Sequence, residues 1–265
     1  MSNAAPKGFN QSIAKAFTIL EHFTPAKPAW GVRELAQTLG ANKSTTYRLL
    51  ATLEELNVLQ QDPISEKYSL GLKLFELGNR VDIQNALVRQ THPELEKVAA
   101  DITETVHLAI LKEEGVFMID KVEGSQGLKL NSRVGETSPV YCTGLGKVLL
   151  AHLAPAPLTK IIKRIKLTAK TEFTICHKVK LREALAQIKI KGYAIDREEL
   201  ELGLICVAVP VFNQQNELVA ALSAAGPANR FREEALQDYV SILQEGARAI
   251  QAKIGKFRQL NENAY

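Results

Sequence analysis

Two cations and four hydroxyls crowd one short stretch of this 265-residue chain: Lys43, Ser44, Thr45, Thr46, Arg48 and Thr52. Thr45, Arg48 and Thr52 recur at spacings of three and four, which places them on one side of a helix. Lysine and arginine bind phosphates or guanine edges, short hydroxyls allow close approach, and a free helix N-terminus favours an anion. This is the chemistry of a helix laid in a DNA major groove, and all six residues are read as DNA-contact candidates. The bare pattern would equally suit a surface helical hairpin in another fold.

The neighbouring elements weigh toward DNA. Val32, Leu35, Ala36 and Leu39 give a preceding short helix one apolar face. Gly40 follows, where a helix end favours positive φ. The second helix opens in Asn42–Ser44 with a polar cap candidate, and Tyr47, Leu50, Leu53 and Leu56 are assigned to its apolar side. Val58–Gln61, Asp62–Glu66 and Lys67–Leu70 then read as strand, turn and strand, and a hairpin directly behind a recognition helix is a wing. Upstream, Ser12 is read as the cap of a helix over Ile13–Phe23, with Ile13, Phe17, Leu20 and Phe23 on one face. Thr24–Pro28 ends that helix. The lone Trp30 is read as core filler. Three helices and a hairpin make a winged helix-turn-helix over residues 9–71.

Beyond it, Leu72–Val88 reads as an amphipathic linker whose stripe of Leu74, Leu77, Val81 and Val88 serves either self-association or packing against its own wing. Thr91-His92-Pro93 reads as a break, because proline disfavours helix at the residue before it. The linker is accordingly set at 72–90 and a second domain at 91–258. There, helical segments over 144–153, 158–165 and 179–191 separate two groups of strands. The first group is Thr105–Lys112, Val116–Val122 and Leu128–Arg133. The second is Ala194–Glu198, Ile205–Phe212 and Leu218–Ala225, and a long helix over Glu233–Phe257 closes the chain. This order gives an α+β domain on a mostly antiparallel sheet.

A second kind of chemistry sits in that domain. Ile205, Val207, Val209 and Val211 alternate with Cys206 and Ala208, and Leu218, Ala220 and Leu222 alternate with Ala221, Ser223 and Ala225. One sheet face is therefore paved with small residues, which suits either a guest or a closely packed helix. Pro139–Lys147 places glycines at a helix start, where backbone N–H groups can meet an anion. The Walker pattern fails there at Tyr141 and Val148, so a small carboxylate fits better than a polyphosphate. His107, Asp196 and Cys206 have no close ligand pair among them, so no metal is expected. No nucleophile elbow is present. An enzyme whose N-terminal module docks a partner would rest on Asp196 with His107 from distant strands, and it stands as the alternative.

The net charge is +4 and the sequence pI about 8.8, compatible with nucleic acid and with many other functions. Cys142, Cys176 and Cys206 form no CxxC pair, which argues against a disulfide framework and a zinc ribbon and fits a reducing cytoplasm. No apolar run approaches the roughly 18 residues of a membrane span. Met1–Gly8 lacks an apolar signal core. No cofactor is implied.

Five motifs in this order resemble the IclR family of bacterial transcriptional regulators. They are Lys43–Leu50, Tyr68–Gly71, Gly144–Lys147, Asp196–Glu199 running on to Gly203–Cys206, and Leu222–Pro227. Lys67–Leu70 and Leu72–Gly78 look most like its sugar-acid-responsive KdgR branch. The resemblance implies a winged-helix DNA-binding domain, a linker helix that dimerises, and a GAF-like effector domain. It further implies a dimer or tetramer on a pseudo-palindromic double-stranded DNA operator, with a small organic acid as effector. By the same resemblance, the Gly144–Leu145 backbone would receive a carboxylate, and Asp196, Cys206 and Ser223 would fix polar groups. Some members carry a second serine where this chain has Ala225, which favours a sugar acid or an aromatic acid over the smallest keto acids.

Overall fold

Asparagine caps two of the N-terminal helices. In the computed structural model, which describes residues 9–80, 87–126 and 132–254, helix α1 spans Gln11–Glu21 and α3 spans Lys43–Glu55. Asn10 accepts from the backbone N–H groups of Ser12 and Ile13, and Asn42 accepts from that of Ser44. Each side chain thereby satisfies helix N–H groups that have no intrahelical acceptor. The cap of α1 is thus Asn10, not Ser12 as the sequence suggested. The buried side of α1 agrees in part: Phe23 enters the core and Leu20 packs against it as expected, but Ile19 joins them while Ile13 and Phe17 are 58% and 63% exposed.

Between α1 and α3 lie strand β1 (Ala29–Trp30) and helix α2 (Val32–Thr38). Gly40, at φ +59°, closes α2 as expected. Its N–H donates to the Gln37 carbonyl and that of Ala41 to the Ala36 carbonyl, the double bond of a left-handed helix stop. Strands β2 (Leu59–Gln61) and β3 (Tyr68–Leu70) form the wing, and β1 adds to it in the order β1-β3-β2. Leu35, Leu50, Leu59 and Tyr68 are buried together beneath. Trp30 is buried with them and donates to the His22 carbonyl at 2.8 Å, which fits core filler. Helix α4 (Leu72–Gly78) follows. Val81, one residue of the expected linker stripe, lies outside the described residues.

The chain divides into two compact units, Met1–Val81 and Asp82–Tyr265. The second opens with α5 (Arg89–Ile102), which runs straight through Thr91-His92-Pro93. The expected break is absent: Pro93 lies inside the helix, as its fifth residue, and the backbone just ahead of the helix, at Leu87 and Val88, is wound as a wider π-turn. Strands β4 (Thr105–Lys112), β5 (Gly115–Val122), β6 (Thr137–Pro139), β7 (Ala194–Arg197), β8 (Leu204–Phe212) and β9 (Leu218–Pro227) make one antiparallel sheet in the order β6-β5-β4-β9-β8-β7. The strand expected over 128–133 falls mostly outside the described residues. Helices α6 (Gly144–Ala151), α7 (Pro155–Arg164) and α8 (Lys178–Lys191) lie between β6 and β7, and α9 (Glu233–Ile254) follows β9.

The two faces of this sheet differ as the alternation implied. Val106, Leu108, Val207, Val209 and Leu222 pack under α5 and α9, against Leu95, Val98, Val240 and Leu243. Ala109, Ala208 and Ala221 turn the other way, toward α6 and α8. The bulky face is filled by helices. The small face lets α6 sit close at one end and leaves room at the other.

Candidate functional site

The exposed side of α3 carries Lys43, Ser44, Thr45, Arg48 and Thr52. Thr46 does not belong with them. It is 1% exposed, lies on the buried side with Leu50 and Leu53, and its hydroxyl donates to the Asn42 carbonyl at 3.1 Å. Tyr47 takes the opposite place: assigned to the apolar side by its type, it is 54% exposed, as is Leu56 at 58%. The Thr52 hydroxyl donates to the Arg48 carbonyl, so Thr52 offers mainly its methyl group to solvent. The wing turn is braced by Asp62, whose carboxylate accepts from the Ser65 N–H and hydroxyl at 2.6 and 2.7 Å. Those bonds hold the Asp62 carboxyl below its usual pKa.

The second unit holds a cavity of about 190 Å³ over the small-residue face. Leu145, Asp196, Cys206 and Ser223 line it together. The register explains the meeting: Asp196 is opposite Cys206, Cys206 opposite Ala225, and Ser223 opposite both Ala208 and His107. Gly144 is placed differently. A Cβ there would stand 3.1 Å from Cys206 Sγ and 3.3 Å from Ala208 Cβ, so its bare Cα is what lets α6 rest on β8. Its chain neighbours Thr143 and Leu145 are the residues that reach the cavity. The Thr143 hydroxyl caps α6 by accepting from the Gly146 N–H at 3.1 Å.

Burial controls the charges. Asp196 is 2% exposed, and desolvation pushes its pKa up to about 7 against the restraining pull of Lys147. One of its oxygens accepts from the Glu199 N–H at 2.8 Å. Lys147, on the α6 turn that faces β7, donates to the Ile195 carbonyl at 3.0 Å and pairs with the Glu199 carboxylate. This buried pair ties the helix start to the strand bearing Asp196. Cys206 is pushed up to about 12, first by burial and then by Asp196, so it stands as a thiol rather than a nucleophilic thiolate. The Ser223 hydroxyl is fully buried, and its one hydrogen-bonding neighbour among the described residues is the Cys206 thiol, a weak partner. A buried hydroxyl so weakly partnered costs free energy, and a guest that bonds it removes that cost.

His107, named from the sequence only in the alternative pairing with Asp196, also lines the cavity, and its Nε2 lies 2.8 Å from Ser132 Oγ. The signal was available. On β4, Val106, Leu108 and Ile110 join the bulky core, so His107 must share the other face with Ala109. Arg133, Glu136 and Glu201 also reach the cavity from loop positions. No group of three or more His, Cys, Asp or Glu among the described residues could hold a metal.

Known proteins share both units. Residues 12–63 match the IclR helix-turn-helix domain, and residues 81–252 match the C-terminal domain of bacterial transcriptional regulator IclR. The Escherichia coli HTH-type transcriptional regulator KdgR is 40% identical over 245 residues, 92% of each chain. The crystal structure of the Thermotoga maritima IclR superposes with a TM-score of 0.74 at 33% identity, covering 92% of this chain and 98% of that one. An IclR homologue from Microbacterium hydrocarbonoxydans, crystallised in complex with 4-hydroxybenzoate, superposes with a TM-score of 0.81 at 25% identity over 92% of this chain and 98% of its own.

Proposed function

This chain belongs to the IclR family and is a DNA-binding transcriptional regulator rather than an enzyme; we propose that it controls genes for the catabolism of a small organic acid and that this acid is its effector. The observation that carries the proposal is the cavity floored by Asp196, Cys206 and the buried Ser223 hydroxyl, in a chain that also bears a helix-turn-helix. The ligand's carboxylate would sit at the start of α6, near the Gly144–Leu145 backbone, where helix N–H groups favour an anion. A sugar acid or an aromatic acid suits the site better than the smallest keto acids. The identity to KdgR supports the first, and the 4-hydroxybenzoate complex of the Microbacterium homologue supports the second.

On DNA, the exposed side of α3 would enter the major groove, with Arg48 on a guanine edge and Lys43 on a phosphate. Self-association would bring two such helices onto the half-sites of a pseudo-palindrome. Helix α4 supplies a surface for it: Leu72 and Phe75 are exposed, Phe75 by 71%. The effector regulates only if it binds one arrangement of the DNA-binding units better than the other, since equal affinity shifts nothing.

Two titrations test this. In a thermal-shift screen of sugar acids and aromatic acids, an effector at a hundred times its dissociation constant adds about 2.7 kcal/mol. Asp196→Ala and Ser223→Ala should each remove the shift. In anisotropy titrations on DNA from upstream of the protein's own gene, Arg48→Ala should cost about 1–3 kcal/mol. An unchanged affinity would reject the assigned role of Arg48.

A further inference from the structure

Strand register sets two groups of the cavity's polar side chains apart. Asp196 and Cys206 stand at the β7–β8 side, beside the start of α6. His107 stands on β4, beyond β9, with the Ser132 hydroxyl on its Nε2. Two inter-strand steps of about 4.8 Å separate the strands of Cys206 and His107. Between them the floor is Ser223 and Ala225. Burial keeps the imidazole neutral by driving its pKa down to about 3, with Lys121 acting the same way. A neutral imidazole has one donor and one acceptor, and a serine hydroxyl can supply either. The imidazole itself therefore suits a hydroxyl or a carbonyl.

We propose that His107 is a ligand-reading residue, and that the pocket takes a two-ended acid with a carboxylate toward α6 and a hydroxyl or carbonyl at His107. A two- or three-carbon acid cannot bridge the two ends, whereas a six-carbon chain or a six-membered ring can. The size agrees: the 190 Å³ cavity exceeds the roughly 150 Å³ that admits a benzene-sized guest. The Ser223 hydroxyl, register-paired with His107 and neighboured only by the weakly bonding Cys206 thiol, lies on the path between the ends.

This inference rests on the acid-binding reading above, and the test separates the two. Gluconate and glucuronate are polar at both ends, hexanoate has similar length with one polar end, and pyruvate is too short. Calorimetric titration of the full chain should give at least one of the first two an advantage of about tenfold over hexanoate, the scale of one well-made hydrogen bond. His107→Leu should erase that advantage without changing hexanoate binding. His107→Gln, whose amide nitrogen reaches where Nε2 stood, should keep most of it. Should His107→Leu fail to fold, Ser132→Ala reads the same end without altering the strand and should weaken only the two-ended acids. An undiminished advantage in both His107→Leu and Ser132→Ala overturns the assignment, as does a wild type that binds hexanoate as tightly as gluconate and glucuronate. If neither these four acids nor 4-hydroxybenzoate binds the wild type, the acid-binding reading itself falls.

Discussion

Thr46 and Tyr47 exchange the roles their types suggest. A threonine hydroxyl bonded to the carbonyl four residues back can be buried in a helix, and a tyrosine can stand in solvent. The exchange has a measurable consequence on α3. Tyr47→Ala should weaken DNA binding, because the ring stands on the exposed side with Arg48. Thr46→Val should leave DNA affinity nearly unchanged and register only in stability. Asp196 carries a second prediction. Its folded pKa, about 7, lies above its ordinary 3.8, so the native state holds the proton more tightly than the unfolded chain. This group therefore makes stability fall as pH rises from about 4 to about 7, with no further change above. Asp196→Asn should flatten that part of the melting temperature profile. An acid anion placed beside Asp196 further favours its protonated form, so effector affinity should decline as pH rises through 7 in the wild type and not in Asp196→Asn. Calorimetry at pH 6 and 8 reads both.

At the scale of elements, the seating of α6 decides whether the cavity exists. A Cβ at Gly146 would lie 2.3–2.6 Å from the Val140 backbone, which cannot yield as a flexible side chain can. Gly146→Ala should therefore cost about 1–3 kcal/mol by overpacking and displace the start of α6, lowering effector affinity as well. In the first unit, Asn42→Ala should cost about 0.5–2 kcal/mol through loss of the α3 cap, seen as a lower denaturation midpoint. These elements were unequally legible. The helix-turn-helix and wing were readable because each is local: Gly40 stops α2, an asparagine opens α3, and a hairpin follows. The two faces of β8 and β9 were readable from their period of two. The phase of α3 was misread because Tyr47 and Thr46 are adjacent and both satisfy a helical spacing to Leu50 or Leu53. Pro93 was misread because a proline early in a helix looks, in sequence, like one that ends it. His107 joined the cavity only through the pairing of β4 with β9, which binds residues more than a hundred positions apart. Arg133, expected as the last residue of a strand over 128–133, sits instead in a loop.

At the scale of the molecule, the proposed regulation requires two compact units to act as one switch. The first offers a cationic helix face and exposed apolar residues on α4, and the second offers the cavity. Phe75→Glu should shift the protein toward monomer in sedimentation and weaken DNA binding with it, since one recognition helix reads only a half-site. Sedimentation that is unchanged by Phe75→Glu would remove α4 from the interface. No helix among the described residues is long and apolar enough to cross a membrane. The most direct test is an anisotropy titration of the full chain on DNA from upstream of its own gene. It is run at several salt concentrations, with and without an acid that raises the melting temperature. We expect affinity to fall steeply with salt, as phosphate neutralisation requires, and the acid to change that affinity at fixed salt. Affinity that ignores salt, or DNA binding that does not respond to any acid that stabilises the protein, would contradict the account.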